Sequence, residues 1–132
     1  MPVLDASVLV EYLASGEHAE AAYERIRAEA HANWAPELID AEVGHALRRA
    51  VKLGQLEAGF AREALWELRA LRLNRVSHEL LMLYAWELRD NVSFYDALYV
   101  ALAEMLDQPL VTFDARLARA SGIEAEIQVV AT

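Results

Sequence analysis

Apolar residues in this chain recur in two rhythms. Short runs at 3–4, 33–35, 71–76, 110–113 and 127–130, set off by Pro2, Pro36, Pro109 or Gly122, read as strands. Longer stretches repeat every three to four residues and read as helices. The first spans 6–13 and is broken by Gly16. A second, over 17–32, carries Ala19, Ala22, Tyr23 and Ile26 on one face. A third runs over 37–53 with Gly54 as its stop, and a fourth over 55–70 carries Leu56, Phe60, Ala64 and Leu68. Ser77 is placed to cap a fifth that holds Leu80, Leu81, Tyr84 and Leu88. After the Asp90-Asn91 turn, Ser93 opens a helix to Leu106, and a short one covers 114–121.

Short apolar strands alternating with longer helices predict an α/β fold: a mainly parallel sheet of about five strands covered by helices on both faces. The 132 residues fit one domain, with no repeat or linker to divide 1–132. At 56% hydrophobic residues the chain can bury a full core. The first residues lack a basic signal-peptide region, and no apolar run reaches the roughly 18 residues of a membrane span. The absence of cysteine excludes disulfides and thiolate metal sites. A soluble cytoplasmic protein with no membrane association is the expectation. A net charge of −9 argues against a generic nucleic-acid coat protein.

Four carboxylates stand where one predicted element gives way to the next. Asp5 and Asp114 each follow a strand-like run, while Glu42 and Asp96 fall in the early turns of helices. In parallel α/β sheets ligands bind beyond the carboxyl ends of the strands, and Asp5 and Asp114 sit at that edge. A pocket gathering several acids is stable mainly around a divalent cation, and an acid-held metal suggests phosphodiester chemistry. Each acid also has a plainer role open to it. Asp5 and Asp114 could cap the helices that follow them, Asp96 lies at capping-box spacing from Ser93, and Glu42 could be a solvated helix residue. Against that, Asp5 and Asp96 are embedded in apolar stretches, where an uncompensated carboxylate is costly.

Thr112 and Ser7 can hydrogen-bond near the acids. Tyr95, Tyr99 and Trp34 read as core or rim. Glu42 and His45 have the E-x-x-H spacing of di-iron bundles, but only one copy occurs and the four histidines are scattered. Arg48 and Arg49, and Arg116 and Arg119, form basic pairs that either decorate helix C-termini or contact phosphates. There is no Gly-rich phosphate loop, nucleophile elbow or zinc motif.

The segments VLDASVLVEYL, PELIDAEVGHALRR and FYDALYVALAEMLDQPLVTFDARL, together with the length, resemble the PIN-domain ribonucleases. The similarity is greatest to the VapC-like toxins of prokaryotic toxin–antitoxin pairs. The resemblance implies a three-layer α/β/α sandwich in which Asp5, Glu42, Asp96 and Asp114 bind Mg²⁺ or Mn²⁺ and hydrolyse RNA to 5′-phosphate and 3′-hydroxyl ends. It implies Thr112 and Ser7 as accessory polar residues, a homodimer, and an antitoxin that blocks the acids with a basic side chain. The aliphatic faces of helices 17–31 and 37–53 offer a groove for that partner. Arg48, Arg49, Arg116 and Arg119 are the candidate RNA phosphate contacts. Two other classes compete. A phosphoacceptor receiver domain needs a lysine after its last strand, and the only lysine here is Lys52, on a helix. A non-catalytic, metal-stabilised binding module of the same fold would use the acids structurally.

Overall fold

The first strand is only two residues long, and neighbours on both sides hold it in place. In the computed structural model, which describes residues 1–132, β1 (Val3–Leu4) is the centre of a five-stranded parallel sheet. Val3 pairs with Trp34 of β2 (Asn33–Pro36) and with Leu110 of β4 (Leu110–Thr112), while Leu4 pairs with Val111. The outer strands are β3 (Leu73–Val76), beside β2, and β5 (Ile127–Val129), beside β4. The spatial order is therefore β3-β2-β1-β4-β5. Val3, Leu4, Leu110, Val111 and Thr112 are all buried, as strands covered on both faces must be.

Seven helices cover the sheet: α1 (Ala6–Leu13), α2 (Ala19–Ala28), α3 (Leu38–Lys52), α4 (Ala58–Ala70), α5 (His78–Glu87), α6 (Phe94–Leu106) and α7 (Ala115–Arg119). α2, α3 and α4 all pack on α1; α5 packs on α6, which lies against β1, β2 and β4. α6 is the most buried helix, with seven consecutive core residues from Ala97 to Ala103. This is the α/β/α sandwich of the sequence reading, and every predicted strand and helix is present. No helix is long and apolar enough to cross a membrane.

The differences lie at the ends of elements. α2 stops at Ala28 rather than running to 32, because Asn33 Nδ2 donates to the freed Ile26 carbonyl at 2.9 Å and turns the chain into β2. At its other end, Gly16 N–H donates to Glu11 O and His18 N–H to Glu11 Oε1, so residues before Ala19 form a turn. The fourth helix starts at Ala58, not 55, because α3 ends in a Schellman motif that uses the preceding residues. There Gly54, at φ +74°, donates to Val51 O, and Gln55 donates to Ala50 O. α7 is shorter than 114–121 and β3 shorter than 71–76.

Candidate active site

The strand order reverses direction between β1 and β4: the chain proceeds outward from β1 through β2 and β3, then returns to the far side of β1. Such a switch point opens a crevice at the carboxyl ends of the two strands. Asp5 directly follows β1, and its N–H still donates to Val111 O of β4 at 2.9 Å. Asp114 follows β4 by two residues and precedes α7. The topology thus puts the two strand-end acids beside one crevice.

Asp5 occupies the N-cap position of α1 but its side chain makes no capping bond. Its Oδ2 instead accepts from Thr112 Oγ1 at 2.6 Å and from Ser7 Oγ at 2.9 Å. Each hydroxyl is itself fixed, since Ser7 Oγ accepts from Phe113 N–H at 3.0 Å and Thr112 Oγ1 from Asp114 N–H at 2.9 Å. The two hydroxyls therefore orient one carboxylate oxygen and leave Oδ1 free of protein hydrogen bonds. Both accessory residues singled out in the sequence stand at the predicted acid.

Glu42 and Asp96 come from the helix layers on either side of the sheet. Glu42, one turn into α3, accepts from the Tyr99 hydroxyl at 2.6 Å. Asp96 lies in the first turn of α6, where its N–H donates to the N-cap Ser93 Oγ at 3.1 Å. Burial raises the Glu42 pKa above 4.5 against the opposing Tyr99 bond, and the charges of Asp5 and Asp96 raise it further. Burial also raises Asp96 above 3.8, joined by the charges of Asp5 and Asp114. Burial and the Glu42 carboxylate push the Tyr99 hydroxyl pKa up, so it stays a donor. Tyr99, read from sequence as core or rim, is both buried and part of the site. Its position one turn after Asp96 on the same helix was the available signal.

Asp114 differs from the other three. It caps α7, accepting from Arg116 N–H at 2.9 Å, and is gripped by the Arg116 guanidinium through Nε at 3.1 Å and Nη2 at 2.9 Å. Those bonds hold its pKa below 3.8. The capping role open to Asp114 in the sequence is thus realised, and Arg116 is engaged by an acid rather than free for phosphate. Arg119 lies near enough to lower the Asp114 pKa as well. Arg48 and Arg49 are exposed on the later turns of α3, away from the acids.

No three acidic or histidine side chains converge closely enough to hold an ion in the arrangement they adopt. The donors are nevertheless all carboxylate oxygens, which hard divalent cations take, and three of them raise the energy of one another's charges. Mg²⁺ commonly binds one or two carboxylates directly and keeps its waters, so a three-ligand cage is not required. The residues fit such an ion.

The sequence model of the PIN domain matches residues 3–123, which span the crevice and all four acids. The chain belongs to the PIN-domain family. It is 50% identical over 129 residues to Ribonuclease VapC1 of Mycobacterium tuberculosis, covering 97% of this chain and 96% of that protein, which places it in the VapC group of PIN domains. Solved structures share the fold at lower identity. VapBC2 from Rickettsia felis, bound to a DNA fragment from its promoter, aligns with a TM-score of 0.67 and 16% identity, covering 96% of this chain and 97% of that one. VapC20 of Mycobacterium tuberculosis, a Sarcin-Ricin loop cleaving toxin, aligns with a TM-score of 0.68 and 18% identity, covering 93% and 96%.

Proposed function

We propose that this PIN-domain protein is a Mg²⁺- or Mn²⁺-dependent endoribonuclease that acts as the toxin of a toxin–antitoxin pair. The observation that carries the reading is the gathering of carboxylates at the switch point, where Asp96 and Asp114 line one cleft and Asp5 and Asp96 lie near enough to act on the partly buried Glu42. Partly buried carboxylates gathered without enough basic partners call for a cation. The 50% identity to a ribonuclease of the VapC group supplies the substrate class.

Asp5, Glu42, Asp96 and Asp114 would hold the ion, some of them through water. When bound, it would supply Lewis acidity toward the phosphoryl oxygens and lower the pKa of water at neutral pH. Asp5 presents Oδ1 toward the crevice because Ser7 and Thr112 occupy Oδ2. Glu42, with its raised pKa, is suited to take a proton, and Tyr99 holds it by one oxygen. Arg116 can exchange Asp114 for a substrate phosphate, since both are charge-assisted partners of a guanidinium. Single-stranded or loop RNA, whose backbone can bend into a crevice, is the fitting substrate.

Two partners belong to the reading. An antitoxin segment lying over α2 and α3, which both pack on α1, would end in a basic side chain among the acids; the VapBC2 neighbour supports an antitoxin partner as such. A second copy would cover the outer side of α5, where Leu80 and Leu83 are 67% and 80% exposed and Trp86 is 55% exposed. Antiparallel packing of two α5 helices would set Leu80 and Trp86 of one copy against the same residues of the other, with Leu83 at the centre.

The test is incubation of purified, antitoxin-free protein with total cellular RNA and Mg²⁺ or Mn²⁺, with EDTA and Asp96→Asn as controls, followed by mapping of 5′ ends. Discrete cuts that need both metal and Asp96 are expected. Folded, metal-loaded protein that cuts nothing would overturn the proposal.

A further inference from the structure

Beside Glu42 lies a cleft wider and less polar than the acids themselves need. Leu38, Ala41, Glu42 and His45 of α3 and Tyr95 of α6 line an open cleft of about 420 Å³. That falls within the roughly 300–1,000 Å³ of small-ligand clefts. Leu38, Ala41 and Tyr95 make the walls mainly apolar, and Glu42 is shared with the crevice.

Tyr95 has no structural reason to be aromatic. It is 64% exposed, although it precedes Asp96 and stands one turn from the buried Tyr99. Its ring belongs to neither of the stacked pairs in the fold, Tyr12 with Tyr23 and His18 with Phe113. Opposite it, α3 presents Glu42 and His45 one turn apart.

We infer that Tyr95 is a stacking platform for a nucleobase of single-stranded RNA adjacent to the phosphate that reaches Glu42 and Asp96. The inference rests on the ribonuclease reading above and assigns a binding subsite to it. A chain of net charge −9 with four acids at its crevice repels the phosphate backbone, so charge alone cannot hold the substrate there. Stacking on an aromatic face is independent of that repulsion and accepts any base. The mixed lining favours a base over an aliphatic side chain of a protein partner. Glu42 and His45 can meet the polar edge of a base, whereas an aliphatic group would desolvate them without return.

The test separates stacking from cleavage by working in EDTA. Fluorescence anisotropy with a labelled oligoadenylate, and with an abasic ribose–phosphate chain of equal length, is measured for wild type, Tyr95→Ala, Tyr95→Phe and Tyr95→Trp. Tyr95→Ala should weaken oligoadenylate binding by about 5- to 150-fold, the range for loss of one stacked base. Tyr95→Phe and Tyr95→Trp should bind as wild type, and the abasic chain should not distinguish any of the four. Equal loss on the abasic chain, undiminished binding by Tyr95→Ala, or a changed oligomeric state of that variant would overturn the assignment. Tyr95-dependent binding without metal-dependent cleavage would sink the ribonuclease reading and keep the subsite; cleavage that ignores Tyr95 would do the reverse.

Discussion

Asp5 is the residue with the most built around it. Two hydroxyls and two backbone N–H groups cooperate to fix one of its oxygens, and Thr112 is the joint between them. Thr112→Val keeps the shape but leaves the Asp114 N–H without its partner in a partly buried place. A loss of about 1–3 kcal/mol is expected in denaturant unfolding, together with weaker cleavage. Unchanged stability would mean that the hydroxyl network contributes nothing to the fold. Asp96 acts in the opposite direction. Its folded-state pKa and that of Glu42 lie above the ordinary 3.8 and 4.5, so the protonated acids are the ones the fold favours. The associated stability is complete below those ordinary values and is lost as pH rises through the higher folded-state values. At pH 7 without metal, Asp96→Asn should therefore melt above wild type, and the difference should vanish below about pH 4. Added Mg²⁺ should raise the melting temperature of wild type and move the variant less. A variant that melts below wild type at pH 7 in EDTA would contradict the repulsion in the crevice.

At the scale of elements, α6 carries Asp96, Tyr99 and the centre of the core on one helix. Its start is set by Ser93, whose Oγ accepts the Asp96 N–H. Ser93→Ala should destabilise the protein by about 1 kcal/mol, and Ser93→Asp should restore the cap. Because the uncapped residue is Asp96 itself, Ser93→Ala should also lower kcat for RNA cleavage; a stability loss with full activity would show that the first turn tolerates fraying. The element boundaries show where local pattern stops being informative. The apolar spacing of α2 continues past Ala28, but the Asn33 side chain closes the helix from seven residues beyond the Ile26 carbonyl. A bond of that span has no signature in helical periodicity.

For the molecule as a whole, charge and exposed apolar surface govern association. If Arg48, Arg49 and Arg119 contact phosphates, the salt dependence of RNA binding should drop by a slope of about 0.7 for each one replaced by alanine. An unchanged slope would remove that arginine from the interface. The outer side of α5 should hold two copies together, and Leu83→Glu should convert a dimer into a monomer in sedimentation velocity without changing the circular dichroism spectrum. Wild-type protein that sediments as a monomer would leave the exposed Leu80, Leu83 and Trp86 without this explanation.

The sequence by itself determined the strands, the helices and the parallel α/β class, and it singled out the four candidate acids. Each of those follows from short-range pattern: Val3-Leu4 ahead of Asp5, Leu110 to Thr112 ahead of Asp114, Ser93 ahead of Asp96. Apolar period and capping chemistry act within a few residues, so they are visible along the chain. Only the tertiary structure decided what the acids touch. The Thr112 hydroxyl reaches Asp5 across 107 positions, and Tyr99 reaches Glu42 across 57. The Arg116 grip on Asp114 spans only two residues, yet its geometry depends on the turn between β4 and α7. Charge repulsion among Asp5, Glu42 and Asp96 likewise depends on distances through space. The strand order sets those distances by bringing β1 and β4 side by side.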